Sequence, residues 1–377
     1  MVYKSVLPSW QIDGKRIFLR ADLNVPLENG IIKDDFKLKE LQPTLDLILE
    51  KKGKIILATH IGRPDYAQPE LSTRHLIPWF RYHGYPIEYC STFQEAELKS
   101  KEDSKTIVLL ENLRFFPGEK NQDPEFAPQL KKLADWYVND AFGTLHRTDT
   151  SVLAFPKLFP IDQKTFGLLI QMELNQAQQL LHPQHPFCLI VGGGKAADKI
   201  PLIKSLLPKI DSLLLCPGID MAFAKNNEQA QAIISFAKKN RIAIETPADY
   251  LVGKSLDIGP FVIKAKDALA PGDFPICIGP ETQKRYASII SHSKTAFYNG
   301  LMGNLENVRT LQGVHAIFNA MKQCDFALVG GGDSTAAART LGFEKTLNLS
   351  TGGGALLAYL SGQKLPALEI LIDRAKS

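Results

Sequence analysis

FCLIVGGGKAADK, residues 187–199, sets five apolar residues in a row, then three glycines, then a segment of helical character. An apolar run that does not alternate with polar residues reads as a strand buried on both faces, as in a parallel sheet covered by helices. The same pattern recurs in RIFLRADL (16–23), KIILATHI (54–61), TIVLLENL (106–113), DSLLLCPG (211–218) and FALVGGGD (326–333), with longer helix-like stretches between them. The fold class predicted is α/β. At ~150 residues per domain, a chain of 377 residues has room for two such domains.

Composition excludes several other classes. Hydrophobic residues make up 45% and charged residues 22%, the balance of a globular chain with material for buried cores. No apolar run reaches the ~20 residues of a membrane span, and MVYKSVLPSWQIDGKR (1–16) has no apolar signal core. A cytoplasmic protein with no membrane partner is therefore expected. Forty-four Lys and Arg against forty Asp and Glu leave +4, too small an excess for a nucleic-acid partner, so any anion site must be local. Five well-separated cysteines with no C-x-x-C pair predict buried, reduced thiols, with neither a disulfide framework nor a zinc site.

In doubly wound sheets ligands sit beyond the carboxyl ends of the strands, so the residues after each apolar run carry the function. In the first half these are charged and polar: Asp22 and Asn24, His60 and Arg63, Glu111, Asn112 and Arg114, then Asn139, Asp140, His146 and Arg147. Such a set suits a small, highly anionic molecule, and guanidinium forks match carboxylate and phosphate oxygens. Arg20, inside its apolar run, reads as an ion-pair partner, His146 as a structural hydrogen-bonder, and Phe115, Phe116 and Phe142 as core. In the second half the strand ends run into glycine: Gly192 to Gly194, Gly218, Gly279, Gly300, Gly330 to Gly332 and Gly352 to Gly354. Glycine admits a close ligand, and amides at a following helix N-terminus cradle phosphate. Between the halves, GLLIQMELNQAQQLLH (167–182) predicts a helical connector.

Single motifs leave alternatives open. GGGKAADK (192–199) is no Walker A loop, because Ala196 stands where Ser or Thr would meet magnesium. It fits a G-x-G-x-x-A dinucleotide turn with Asp211 or Asp220 as the ribose acid. It also fits a turn whose Lys195 and Lys199, four apart, either meet phosphates or stand solvated. In GGGDS (330–334), Asp333 either holds magnesium or N-caps the helix STAAARTL (334–341). STGGGA (350–355) is a third such turn.

Taken in order, RADLNVP (20–26), HIGRP (60–64), LLENLRFFPGE (109–119), YVNDAFGTLHR (137–147), GGGKAADKI (192–200), IGPET (278–282), YNGLMGNLE (298–306), GGGDS and STGGGA make the chain resemble the phosphoglycerate kinases over nearly its whole length. The resemblance implies two Rossmann-like domains with parallel sheets joined by a helical hinge, whose closure brings the ligands together. A phosphoglycerate-binding domain would span 1–165, completed by the tail 364–377 that includes LPALEILIDRAKS. A hinge helix would span 166–183 and a nucleotide-binding domain 184–363. It implies a monomer transferring a phosphoryl group between 1,3-bisphosphoglycerate and ADP, with 3-phosphoglycerate, ATP and magnesium as the other ligands. Carried over by position, Asp22, Asn24, Lys37, His60, Arg63, Arg114 and Arg147 would bind phosphoglycerate. Lys195, Lys199, Glu306, Gly331, Gly332, Asp333 and Ser334 would bind the nucleotide, Asp333 its metal, and Lys37 and Lys199 would be catalytic.

The sequence also departs from the family pattern. DDFKL (34–38) puts Lys37 where an arginine stands, keeping the charge without the fork. Cys277 replaces Asp, Tyr298 and Leu301 replace Trp and Pro, PGIDMAF (217–223) replaces G-G-G-M-A-F, and Ala358 and Asp149 fall where Glu and His are usual. These departures keep a second reading open, a catalytically weakened relative that binds phosphoglycerate or nucleotide as a regulatory or scaffold protein. A third is a nicotinamide dehydrogenase on the G-x-G-x-x-A turn.

Overall fold

Two six-stranded sheets, parallel throughout, carry the chain, and all six quoted apolar runs fall on them. The fold comes from a computed structural model that describes residues 2–102, 105–121, 123–194, 196–224 and 228–372. Two units emerge, Met1–Asn175 with Lys364–Ser377, and Gln176–Gln363. The division falls inside the helix Leu168–Leu181. No helix among the described residues is long and apolar enough to cross a membrane.

Across the first unit the strand order is Ile87–Cys90, Ile107–Leu110, Lys54–Ala58, Arg16–Ala21, Trp136–Asp140 and Lys164–Phe166. Arg16–Ala21 lies in the middle and is buried from Ile17 onward, which is why its sequence does not alternate. The connections reverse direction between it and Trp136–Asp140, so the ligand crevice is expected beyond Ala21 and Asp140. The tail docks on this unit through the Ala367 amide, which donates to the Leu145 carbonyl at 3.3 Å. Asp140 serves the scaffold: its carboxylate accepts from the Ile170 amide at 3.0 Å at the start of Leu168–Leu181, and burial pushes it up to about 7.

The second unit runs Ala243–Glu245, Ser212–Leu215, Phe187–Val191, Thr295–Asn299, Phe326–Gly330 and Asn348–Leu349. In chain order this is 3-2-1-4-5-6, a dinucleotide-fold order whose switch point lies between Phe187–Val191 and Thr295–Asn299. There the strand ends touch. A side chain on Gly192 would strike the Gly300 carbonyl, and one on Gly300, at φ +97°, would strike that of Gly192.

A three-stranded antiparallel sheet of Asp249–Gly253, Val262–Ala265 and Phe274–Ile278 was not predicted. It corrects the placing of Gly279, which follows this sheet and not the parallel one, while Gly218 lies within the helix Pro217–Ala224. Cys90, Cys188, Cys216 and Cys277 are buried free thiols and Cys324 is half-buried. Phe142 is core as expected, whereas Phe115 and Phe116 are half-buried, Phe116 stacking on Phe93 at 4.4 Å. Tyr298 and Cys277 are both buried, Tyr298 edge-on to Phe318 at 5.0 Å, so both side chains serve packing within the unit.

Candidate functional site

In the first unit the strand ends build a basic cluster on a polar scaffold. Asn112 is buried and holds the 61–62 segment: its Nδ2 donates to the Ile61 and Leu71 carbonyls at 2.8 and 2.9 Å, and its Oδ1 accepts from the Ile61 and Arg114 amides. The Gly62 peptide is gripped on both sides, its N–H donating to Asn24 Oδ1 at 2.9 Å and its carbonyl accepting from Arg114 Nη1 at 2.6 Å. Gly62 has φ +66°, a backbone state that L side chains rarely adopt. This arrangement leaves Arg63 exposed, with no ion pair or hydrogen bond to its side chain among the described residues.

Arg114 is 7% exposed and pairs with Asp149 at 3.4 Å. Its guanidinium is lowered from the usual value by burial and by the charge of Arg147. Three buried nitrogens in the cluster have no acceptor: Arg114 Nε, Arg147 Nε and His60 Nε2. Buried donors left without a partner are costly, and a group of them with excess positive charge is the chemistry that suits an anion. Lys37 lies in the first turn of the helix Phe36–Glu50, its ammonium on Asp22 at 2.8 Å.

Burial pushes the Asp22 carboxyl up, but its cationic neighbours, the Lys37 ammonium foremost, outweigh it and hold the group at about 2, below its usual 3.8. A depressed carboxylate contributes stability above its unfolded value and loses it as pH falls through the folded one. The Asp22→Asn variant should therefore be about 2 kcal/mol less stable near neutral pH. Its deficit in urea melts should shrink as pH is lowered from about 5 towards about 2. A deficit constant over that range would show that the Asp22 charge does not stabilise the unit.

Several expected site residues serve the scaffold. Glu111 accepts from Ser72, Thr73 and Tyr89. Arg20, read from the sequence as an ion-pair partner and not as a site residue, is fully buried with its Nη2 4.0 Å from Glu119. His146 corrects its expectation, being exposed with no side-chain hydrogen bond among the described residues.

The second unit gathers its candidates at the switch point. Lys199, on the helix Ala196–Leu206, donates to Asn299 Oδ1 at 2.5 Å. Asn299 Nδ2 donates to the Gly330 carbonyl at 2.8 Å, and Ser334 Oγ accepts from the Gly300 amide at 3.1 Å. Strand ends and helix starts are thus cross-tied into one cradle. Burial lowers Lys199 from its usual value, with Asp198 and Asp333 opposing the shift. Gly331, at φ +99°, caps the helix Gly332–Thr340, so this helix begins two residues before the predicted one and Asp333 sits in its first turn, not at its cap. Asp333 is exposed, with no hydrogen bond or ion pair among the described residues. Glu306 is exposed in the segment after Gly300. Lys195 lies outside the described residues.

Neither acid proposed for a ribose is free. Asp211 accepts from the Phe187 amide at 2.6 Å and lies 2.7 Å from the His185 ring, while Asp220 is buried against Tyr250 and Lys266. The dinucleotide reading of GGGKAADK thereby loses its acid. Sequence reasoning missed Asn299, whose only signal is a polar residue closing an apolar run before Gly300. No group of three or more His, Cys, Asp or Glu among the described residues could hold a metal by itself.

Comparison with known proteins adds to this geometry. A family model described as Phosphoglycerate kinase matches residues 7–363. The chain is 35% identical to a phosphoglycerate kinase of Thermomicrobium roseum, covering 97% of this chain and 98% of that one. It is 36% identical to one from Dictyoglomus turgidum, covering 96% and 97%. Among solved structures, phosphoglycerate kinase from Pyrococcus horikoshii OT3 superposes with a TM-score of 0.84 at 27% identity, covering 98% of each chain. That from Coxiella burnetii gives 0.80 at 29%, covering 96% and 97%.

Proposed function

Since the chain belongs to the phosphoglycerate kinase family, we propose that the basic cluster of the first unit receives the phosphoglycerate and the glycine-lined strand ends of the second receive the nucleotide. The reaction is the family's, transfer of a phosphoryl group between 1,3-bisphosphoglycerate and ADP to give 3-phosphoglycerate and ATP. The observation that carries the assignment of ligands is the trio of buried, acceptorless nitrogens on His60, Arg114 and Arg147.

The chemistry asks little acid–base work of the protein. A terminal oxygen of ADP attacks the acyl phosphorus, a phosphorus–oxygen bond forms, the acyl oxygen–phosphorus bond breaks, and the carboxylate leaves as 3-phosphoglycerate with no phosphoenzyme. Positioning and charge neutralisation then supply the rate. Arg63, Arg114 and Arg147 hold the phosphoglycerate oxygens, His60 and Asn24 complete its contacts, and Lys37 meets the acyl phosphate from the Asp22 side. Lys199 and the amides at Gly331 and Gly332 meet the nucleotide phosphates, Ser334 braces the cradle, and Glu306 is assigned the ribose.

Magnesium fits the second unit as a companion of the nucleotide. Asp333 offers one unspent carboxylate, and magnesium bound with nucleotides takes one or two carboxylates plus phosphate oxygens. When bound it would neutralise phosphate charge.

Calorimetry tests the assignment of ligands. Arg63→Ala should weaken 3-phosphoglycerate binding by about 10- to 100-fold, the loss of one charged hydrogen-bonding group, and leave ADP binding near wild type. Equal loss of both ligands would sink the two-site reading. A coupled assay of ATP formation from 1,3-bisphosphoglycerate and ADP tests the reaction itself.

A further inference from the structure

We propose that Arg20 is a positioning residue that holds His60 as the neutral Nε2–H tautomer, so that His60 meets phosphoglycerate as a hydrogen-bond donor and not as a cation. The ligand half of this statement rests on reading the basic cluster as the phosphoglycerate site. The tautomer half rests on the contact geometry alone.

Arg20 Nη2 lies 3.2 Å from His60 Nδ1, and both residues are buried, at 0% and 1% exposure. A guanidinium has only donors and does not lose its proton in a protein, so Nδ1 must be the acceptor at every working pH. The ring proton then sits on Nε2, the atom left buried without a partner. Protonating His60 would set an Nδ1–H against the Arg20 N–H and forfeit that bond. Its surroundings oppose protonation too: burial first, then Arg20, Arg114 and Arg147, lower it well below its usual 6.5, with only Asp22 pulling the other way. Asp22 is itself answered by Lys37 at 2.8 Å.

Arg20 is fixed in this role from its other sides. Its Nε donates to Ser151 Oγ at 2.8 Å and its Nη1 to the Ala21 carbonyl at 2.5 Å. Ser151 in turn donates to Glu119, whose carboxylate lies 4.0 Å from Nη2. Burial raises Glu119 to about 7 against the pull of Arg20. Either protonation state of Glu119 leaves Arg20 a donor, so the lock on His60 does not depend on it. The benefit lies in the ligand's own titration. A phosphate monoester changes charge near pH ~6, and a histidine titrating in the same range would make affinity swing twice, whereas a neutral donor does not.

The test starts on the wild-type enzyme without ligand. Nitrogen-15 histidine spectra, with the His60 signals assigned by their loss in His60→Gln, should show Nδ1 bare and Nε2 protonated, unchanged from about pH 8 to about pH 5.5. A ring protonated on Nδ1, or a titration centred near the usual histidine value, would overturn the proposal. The double variant Arg20→Met/Glu119→Gln then removes both buried charges together, so that neither is left uncompensated. In it the opposition of Arg20 is gone while that of burial, Arg114 and Arg147 remains, so the His60 midpoint should rise above the wild-type one, and the ratio of the variant's Kd for 3-phosphoglycerate to the wild-type Kd should fall about fivefold from about pH 8 to about pH 5.5. Taking the ratio cancels the ligand's ionisation. A ratio constant with pH would overturn the positioning role, and if the double variant does not fold, the wild-type spectra decide alone. Failure of wild type to bind 3-phosphoglycerate would instead sink the site assignment and the ligand half with it, a result told apart by unchanged tautomer signals.

Discussion

Replacing Lys37 by alanine is expected to lower kcat by about 10²–10³-fold and to leave ADP affinity near wild type, since on the proposed assignment the charge lost is one aimed at the phosphoryl group during transfer. The ammonium is poised for this by Asp22 at 2.8 Å and by its place in the first turn of Phe36–Glu50. Lys37→Arg should keep or raise kcat, because a fork engages two phosphate oxygens where an ammonium engages one. Lys37→Ala also strips Asp22 of its counterion, so urea melts must accompany the kinetics to show that the folded enzyme is being assayed. Unchanged kcat in Lys37→Ala would remove the residue from the mechanism.

Lys199→Ala should be as severe, with a different signature. Lys199 is anchored on Asn299 at the switch point and partly desolvated, where a charge acts on phosphate oxygens more strongly than it does in water. We expect kcat to fall about 10²–10³-fold and KM for ADP to rise, with 3-phosphoglycerate binding in calorimetry unaffected. A variant with wild-type KM and kcat would show that the cradle works without this cation.

The parallel sheets were legible in the sequence because their central strands are apolar on both faces. Phe187–Val191 is buried at every position, a mark that no half-exposed strand leaves, and the glycines that follow it set it apart from a buried helix segment. The missed strands of the parallel sheets are those at the margins. Ala243–Glu245 is an edge strand of three half-exposed or exposed residues, and Asn348–Leu349 has only two residues. Val262–Ala265 carries exposed Val262 and Ile263 on an edge, a pattern unlike any core strand. At the site, charge at the strand ends was legible, but the division of labour was not. Whether a polar residue faces a ligand or braces the backbone depends on its neighbours in space. Glu111 and Asp140 are spent on Tyr89 and on a helix N-terminus, whereas Arg63 is left free. The cap of Gly332–Thr340 was misread because a glycine in the left-handed region turned the chain before a side-chain cap was needed.

The contact between Gly192 and Gly300 limits which sequences this fold can reach. Each residue fills with its carbonyl the space the other's side chain would need, and the strands behind them are held in register from Phe187 opposite Thr295 to Val191 opposite Asn299. Neither position can change first, and changing both only worsens the overlap. Mutational libraries aimed at nucleotide preference will therefore recover no variants at either glycine. The accessible routes run through the flanking segments, at Pro217–Ala224 and from Leu301 onward.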